Sequence, residues 1–296
     1  MSVESLVGTK INEYKITKYI ASGSFGSVYS ALDTLTNENV ALKIPIKTKE
    51  KQGEKWLIDE AKVYIKLNKN KGEENNISKM KIIKNKELNK KIIVMDLLGD
   101  SLDAKLRKSK NKKFGIKTII MLAIQMIESL KFIHDCGFIH RDIKPDNFVM
   151  DAKDENKLYC IDFGLAKKYI NTFNKGHKFC GTGRYASIAA HLGDEQSRKD
   201  DLESIGYLLV YLFKSKLPWQ NIKHKDKNER YRLMLEKKVS ISEEELCKQM
   251  PKEFLIYLKY VKTLDFDEKP LYNSLIKMFK KLLNSKKYRN LNYEWN

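Results

Sequence analysis

The chain has 296 residues, of which 42% are hydrophobic and 32% are charged, enough apolar material for a substantial core in one large domain or two lobes. Its 57 basic and 38 acidic side chains give a formal net charge of +19, which favours polyanionic partners unless it is only solvated surface. No apolar run approaches the roughly 20 residues of a membrane span, and the start lacks the basic-then-apolar pattern of a secretory signal.

The first third of the chain is mostly strand-like, because short β-rich runs separated by turn residues predict strands at 15–20, 27–32 and 40–45. Apolar positions at helical spacing predict one helix over 56–67, and polar residues predict an exposed loop over 68–78. A further apolar run, 91–98, predicts a buried strand.

Beyond residue 101 the pattern becomes helical. Residues 117–134 and 200–213 are apolar on most of their circumference, which predicts helices buried on nearly all sides, and 255–283 predicts further amphipathic helices. We therefore expect a small sheet-rich lobe, a connection near 95–101 and a larger helical lobe.

A glycine-containing hairpin is predicted over 20–29. Gly23 and Gly26 would let backbone N–H groups approach phosphates, because no side chain intervenes. Ala21 stands where a three-glycine phosphate loop has its first glycine. Taken alone, a hairpin with this pattern is more often only a turn.

Lys43 lies in the apolar strand predicted over 40–44, where a lysine must extend outward or meet an anion. Such a lysine can hold the α- and β-phosphates of ATP. Glu60, on the following helix, is its natural partner, although a single helix glutamate is usually a surface residue.

The strongest pattern is His-Arg-Asp-Ile-Lys-Pro-Asp-Asn at 140–147, followed by Asp-Phe-Gly at 162–164. Phosphoryl transfer needs a positioned phosphate, metal to neutralise its charge and an oriented hydroxyl nucleophile. Asp142 would accept the proton of the hydroxyl, Lys144 would steady the phosphoryl group, and Asn147 and Asp162 would hold Mg²⁺. Any one of these residues could merely cap a loop, but the set at this spacing indicates phosphoryl transfer.

The segments 140–148 and 161–169 resemble those of eukaryotic protein kinases, and within them the casein kinase I family. Arg-Tyr-Ala-Ser-Ile at 184–188 stands where most kinases carry an Ala-Pro-Glu motif, a substitution typical of casein kinase I. The resemblance covers residues 11–296 and is most specific over 140–220.

The resemblance implies an α+β, bilobal protein-kinase fold that binds ATP and Mg²⁺ at the lobe junction. The N-lobe, about 11–95, would be a small antiparallel β-sheet with one main helix; the hinge would be about 96–100, and the mainly helical C-lobe about 101–296. Met95 would be the gatekeeper, and the Asp96 carbonyl and Leu98 N–H would face adenine. The residues expected at ATP are Ile20, Ser22, Gly23, Ser24, Gly26, Val28, Ala41, Lys43, Glu60, Met95, Asp96, Leu98 and Asp162.

The resemblance also implies the substrate class. Lys144 together with Thr182 points to serine or threonine rather than tyrosine, because the threonine of that class bonds to the catalytic aspartate and lysine. Casein kinase I enzymes favour acidic or already phosphorylated substrates, and their anion-binding positions match Arg184 and Arg230. Arg230 can equally be read as one exposed cation among many.

Three departures from the family pattern bear on activity. Ala21 would restrict the glycine loop, Gly183 stands where the family usually has alanine, and the segment between Gly164 and Gly181 is shorter than usual. The sequence also ends at the family's catalytic-domain terminus. The last feature leads us to expect activity that no C-terminal tail inhibits.

Two other functions remain open. A pseudokinase scaffold would keep the fold and nucleotide site without turnover, although Lys43, Asp142 and Asp162 are intact. A nucleic-acid-binding module would use the run 105–117, which holds seven cations and no acid. The run has few aromatic residues for stacking, which favours a solvated loop.

We expect protein substrates, a monomer, no nucleic-acid partner and no membrane insertion. The four cysteines show no paired metal-ligand spacing, and without an export signal they are expected to be reduced thiols. The expected location is the cytoplasm, the nucleus or both.

Overall fold

The structure is a computed structural model that describes residues 6–23, 26–45, 50–70, 72 and 76–295, with the side chains of 50–52 left out. The described residues form two compact units. The first holds the residues up to Gly99 together with Ile161–Gly164, and the second holds Asp100–Cys160 and the residues from Leu165 onward.

The first unit is a six-stranded antiparallel sheet with one long helix. The strands are β1 (Lys10–Ile11), β2 (Tyr14–Ser22), β3 (Ser27–Asp33), β4 (Glu38–Ile44), β5 (Met80–Asn85) and β6 (Lys90–Asp96), in the order β1-β2-β3-β4-β6-β5. Helix α1 spans Glu50–Lys69. Alternate residues of β3 are buried, as a period of two requires in a strand with one face on a core. Tyr29 and Ala31 of β3 join Leu42 and Val94 in that core.

Several boundaries differ from those predicted. Helix α1 is longer at both ends than 56–67, and β6 ends at Asp96 rather than at residue 98. The predicted loop over 68–78 is only partly exposed, because Ile77 and Ser78 are buried. The Asn68 amide donates hydrogen bonds to the Tyr64 and Ser78 carbonyls, and these bonds fasten the end of this segment to the helix.

The second unit is mainly helical, as predicted. Its helices are α2 (Leu102–Lys108), α3 (Ile116–Asp135), α4 (Ile188–Leu192), α5 (Arg198–Lys214), α6 (Lys227–Ser240), α7 (Glu243–Leu246), α8 (Lys252–Thr263) and α9 (Tyr272–Ser285). Its short strands β7 (Phe138–Ile139), β8 (Phe148–Met150), β9 (Leu158–Cys160) and β10 (Lys167–Lys168) pair as β7 with β10 and β8 with β9. The sheet in the first unit and the helices in the second confirm the α+β fold.

The two helices predicted to be buried are α3 and α5, each slightly longer than its apolar run. At the start of helix α5 the Ser197 N–H donates to the Asp200 carboxylate at 2.7 Å, and the Asp200 N–H donates to the Ser197 carbonyl at 3.2 Å. Asp201 lies in the first turn of α5, where it is buried and accepts the His140 N–H from the same unit.

The basic run 105–117 is not a solvated loop throughout, because its first part belongs to α2. Lys105 is buried, and its Nζ lies 2.8 Å from Glu155 Oε1. Arg107 and Lys108 form ion pairs with acidic residues of the same unit at 2.8 and 2.6 Å. These pairs reduce the charge that the run could offer to a polyanion.

Among the described residues, no helix is long and apolar enough to cross a membrane.

Candidate active site

Lys43 lies at the centre of a charged cluster in the first unit. Its Nζ is 2.8 and 2.7 Å from the two carboxylate oxygens of Glu60 and 2.9 Å from Asp162 Oδ1. Strand β4 places the lysine on the inner side of the sheet, and the buried stripe of α1 places Glu60 opposite it. The structure therefore brings together the lysine and the glutamate that the sequence paired.

The electrostatics of this cluster fix the charge of Lys43. Burial by itself would lower the pKa of the lysine, but the charges of Glu60 and Asp162 outweigh it and hold the pKa above its ordinary value. Lys43 is therefore an ammonium at any physiological pH, which a residue that holds phosphates requires.

The Asp-Phe-Gly segment is fastened to α1 one turn beyond Glu60. The Phe163 ring meets the Tyr64 ring edge to face at a centroid distance of 4.8 Å, and the Asp162 N–H donates to the Tyr64 hydroxyl at 3.3 Å. Asp162 has a φ of 64°, which costs a non-glycine residue ~1–3 kcal/mol. We infer that these contacts hold Asp162 in this conformation, with its carboxylate turned toward Lys43.

Tyr64 is a site residue that the sequence did not reveal as such. The apolar pattern over 56–67 predicts only that Tyr64 lies on the buried face of the helix. Its spacing of one helical turn from Glu60 places both residues on the same face, and this was the available signal.

The glycine hairpin connects β2 and β3. The Gly23 N–H donates to the Gly26 carbonyl at 3.0 Å, which closes the hairpin, while Ser24 lies outside the described residues. A Cβ on Gly26 would lie 2.6 Å from the Ile44 carbonyl oxygen, so this glycine permits a close backbone approach. Ala21 lies in β2 opposite Val28 and has no positive φ, so its backbone does not require glycine.

The other residues predicted at ATP lie along this sheet. Ile20 and Ser22 are exposed in β2, Val28 is half-buried in β3, and Ala41 is buried in β4 directly opposite Met95 of β6. The Asp96 carboxylate accepts the Lys79 N–H at 2.7 Å, and Leu98 is half-buried beyond the end of β6. Their contacts with adenine stay a prediction.

The second unit carries the catalytic loop. The two carboxylate oxygens of Asp142 meet different partners, Thr182 Oγ1 at 2.7 Å and Lys144 Nζ at 2.6 Å. The Asn147 amide donates to the Asp142 carbonyl at 2.8 Å, which closes the loop on itself. The structure therefore collects the three predicted catalytic residues and Thr182 around one carboxylate.

Asp201 supports this loop from α5. Its carboxylate accepts the His140 N–H at 2.7 Å and the Arg141 N–H at 2.8 Å, and His134 Nε2 lies 2.9 Å from it. Burial would raise the pKa of Asp201, but the hydrogen bond and charge of His134, together with the other donors, lower it. The ionised carboxylate holds Arg141 at a φ of 66°. A Cβ on Gly181, which has a φ of 105°, would lie 2.6 Å from the Arg141 carbonyl oxygen.

The predicted anion site has two arginines in different surroundings. The Arg184 guanidinium lies over the Tyr185 and Tyr211 rings, at 5.8 and 5.3 Å from their centroids. Arg230, in α6, lies beside the Tyr231 ring, and its Nε is a buried donor without a hydrogen-bond partner among the described residues. An anion would satisfy such a donor.

The oxygen atoms of Asp162 and Asn147 suit a hard divalent cation. Such a cation is usually bound through one or two protein oxygens, with phosphates and water completing its shell. The Asn147 NH₂ donates to the Asp142 carbonyl. The amide oxygen of Asn147 therefore points away from that bond. In the part of the chain that the structure describes, no group of three or more His, Cys, Asp or Glu side chains could hold a metal. Either oxygen donor, Asp162 in the first unit or Asn147 in the second, is thus of the kind that binds a metal together with nucleotide phosphates.

A family model of the protein kinase domain matches residues 14–292. The match covers most of both units. The chain therefore belongs to the protein kinase domain family, whose members are phosphotransferases that use ATP and a divalent metal to modify proteins.

Proposed function

We propose that the chain is a serine/threonine protein kinase of the casein kinase I type, which transfers the γ-phosphate of ATP, with Mg²⁺, to acidic or already phosphorylated proteins. The observation that carries this proposal is the Asp142 carboxylate held between Lys144 Nζ and Thr182 Oγ1 at 2.6 and 2.7 Å. That arrangement is the one expected of the serine/threonine class.

Each charged residue has one task in this reaction. Asp142 orients the substrate hydroxyl and accepts its proton, Lys144 stabilises the negative charge of the phosphoryl group, and Lys43 positions the nucleotide phosphates. Asn147 and Asp162 would hold the Mg²⁺, which when bound neutralises phosphate charge. The paired, buried Lys43 keeps its charge throughout.

The preference for acidic substrates rests on Arg184 and Arg230. The unpartnered Nε of Arg230 and the guanidinium of Arg184 are donors that a phosphate or carboxylate can engage through charge-assisted hydrogen bonds. Arg184 follows closely after Thr182, so an anion there would lie near the residue that contacts Asp142.

The test is transfer of labelled phosphate from ATP to casein, followed by identification of the phosphorylated amino acids. We expect phosphoserine and phosphothreonine, and we expect Asp142→Asn to lower turnover by roughly 10²–10⁴-fold with little change in ATP affinity. Phosphotyrosine would contradict the proposed specificity. ATP binding without transfer would instead support a pseudokinase scaffold.

The anion site has a separate test on matched peptides with acidic, phosphoserine or neutral residues upstream of the acceptor. Arg184→Ala and Arg230→Ala should raise the KM for the first two peptides and leave the KM for the neutral peptide near that of the wild type. Arg289→Ala, which removes an exposed arginine, is the control. An equal effect on all three peptides would contradict anion recognition at this site.

A further inference from the structure

The backbone of residues 183–188 is held by buried side chains of the second unit. The Gly183 carbonyl accepts a hydrogen bond from Lys238 Nζ at 3.0 Å and lies 3.1 Å from His191 Nε2. Lys238 also donates to the Ala186 carbonyl. The Trp219 indole N–H donates to the Arg184 carbonyl at 2.7 Å.

A carboxylate holds the other end of the segment. The Ile188 N–H donates to Glu203 Oε1 at 3.0 Å, and the Tyr207 hydroxyl donates to the same oxygen at 2.7 Å. This carboxylate belongs to α5, whereas residues 183–188 themselves carry no acidic side chain. Residues 183–188 are therefore fixed mainly through their backbone.

Lys238 is the most unusual of these side chains, because it is a lysine with only 1% of its surface exposed. Its Nζ lies 5.0 Å from the centroids of both the Tyr207 and Trp219 rings, and it forms no ion pair with any carboxylate among the described residues. Burying a cation without a carboxylate is costly. The two carbonyls and two aromatic faces are what offset that cost.

The segment that Lys238 holds contains Arg184 and directly follows Thr182, two residues of the proposed reaction. Thr182 contacts the catalytic Asp142, and its carbonyl accepts the N–H groups of Tyr185 and Ala186 at 2.9 Å each. Arg184 lies inside the same turn, between the two carbonyls that Lys238 binds. A shift of those carbonyls would move Arg184 and Thr182 together.

We propose that Lys238 is a positioning residue for the protein substrate, whose ammonium fixes the Gly183 and Ala186 carbonyls and so sets the placement of Thr182 and Arg184. The inference rests on the proposed function, in which the substrate hydroxyl is delivered to Asp142 beside Thr182. Lys238 acts through the loop and takes no part in proton or phosphate transfer.

The test compares Lys238→Met, which keeps the length of the side chain and removes its donors, with Lys237→Met. Lys237 is the adjacent, exposed lysine of the same helix. For Lys238→Met we expect kcat/KM for a peptide substrate to fall at least about tenfold, mainly through a higher peptide KM, while the KM for ATP changes by less than about twofold. Lys237→Met should behave as the wild type. An unchanged peptide KM, or an equal rise in both KM values, would overturn the inference.

A second measurement does not depend on turnover. Amide hydrogen exchange should quicken over residues 183–190 in Lys238→Met and stay unchanged over the catalytic loop at 140–147. Unchanged exchange over 183–190 would overturn the positioning role whether or not the chain phosphorylates serine. If the wild type transfers no phosphate but Lys238→Met shows faster amide exchange, the result counts against the proposed function and not against the positioning role.

If Lys238→Met gives no cooperative melt, Lys238→Arg supplies the comparison. It keeps a cation with several donors, and we expect it to fold and to recover most of the wild-type peptide KM. A folded Lys238→Arg with a peptide KM about tenfold or more above that of the wild type would contradict the role of the cation.

Discussion

Lys43 and Lys238 are both buried, and the surroundings of their charges differ. Lys43 meets the carboxylates of Glu60 and Asp162, which raise its pKa. Lys238 meets only carbonyls and aromatic rings, and burial lowers its pKa to about 7. Lys43 is therefore charged throughout the physiological pH range, whereas the charge of Lys238 depends on pH.

Removing Lys43 should affect both turnover and stability. Lys43→Met removes the proposed contact with the phosphates of ATP, so turnover should fall by orders of magnitude. It also leaves Glu60, 1% exposed, without its main cation, which typically costs about 3–5 kcal/mol of unfolding free energy. Denaturant unfolding and peptide phosphorylation measure the two effects.

Glu60→Gln provides the control for this prediction. Combined with Lys43→Met, it removes the buried negative charge that Lys43 balances in the wild type, so the double variant should be more stable than Lys43→Met alone yet remain inactive. If the double variant is the less stable of the two, the destabilisation does not arise from the buried charge.

The low pKa of Lys238 predicts a dependence of stability on pH. The unfolded chain holds the proton up to about pH 10.5 and the folded chain only up to about pH 7, so between these values the unfolded state binds more protons. The free energy of unfolding of the wild type should therefore rise with pH relative to that of Lys238→Met, by at most about 1.4 kcal/mol per pH unit. Melting temperatures of both proteins at pH 7 and pH 9 measure this difference. A melting temperature of the wild type minus that of the variant that is lower at pH 9 than at pH 7 would contradict the prediction.

At the scale of elements, the sequence was informative where a periodic apolar pattern was strong. Helices α3 and α5 follow their apolar runs closely. Strand β5 was missed because it lies at the edge of the sheet, pairs only with β6 and is largely exposed, so it carries little apolar alternation. The order of the strands, with β6 between β4 and β5, depends on pairing between distant residues and has no local signal.

The candidate site was predictable to the extent that it follows a known spacing. Asp142, Asn147 and Asp162 could be named from the sequence, and Lys43 could be paired with Glu60. Lys238 could not, because it follows Lys237 in the same helix and nothing local distinguishes the buried lysine from the exposed one. Its burial is decided by α5 and by residues 183–188, far away in the sequence.

The N-terminus of helix α3 is capped by a side chain that is distant in the sequence. Its N-cap is Gly115, which has no side chain to accept a hydrogen bond, and both oxygens of Glu294 receive the Gly115 N–H at 3.0 and 3.1 Å. Glu294→Gln should lower the unfolding free energy by about 0.5–1 kcal/mol, because a carboxylate is favourable at a helix N-terminus.

Thermal unfolding checks this prediction against Glu87→Gln, which removes the same charge from an exposed turn between β5 and β6. Equal melting temperatures for the two variants would show that Glu294 contributes only its net charge.

For the whole molecule, the net charge of +19 should act on the rate of encounter with acidic substrates. We expect kcat/KM for an acidic peptide to fall steeply as salt rises from about 0.05 to 0.3 M, because the Debye length shrinks. A neutral peptide of the same length is the control and should respond weakly. Parallel salt curves for the two peptides would contradict electrostatic steering.

The four residues Ile161–Gly164 limit how this protein could be divided into fragments. They belong to the first unit, although their neighbours Cys160 and Leu165 belong to the second. A fragment ending at Gly99 would lack both the Asp162 partner of Lys43 and the Phe163 ring on Tyr64. The first unit is thus not a transferable module: no single cut or splice releases it whole, and a split protein would have to regain this tetrapeptide from its other half.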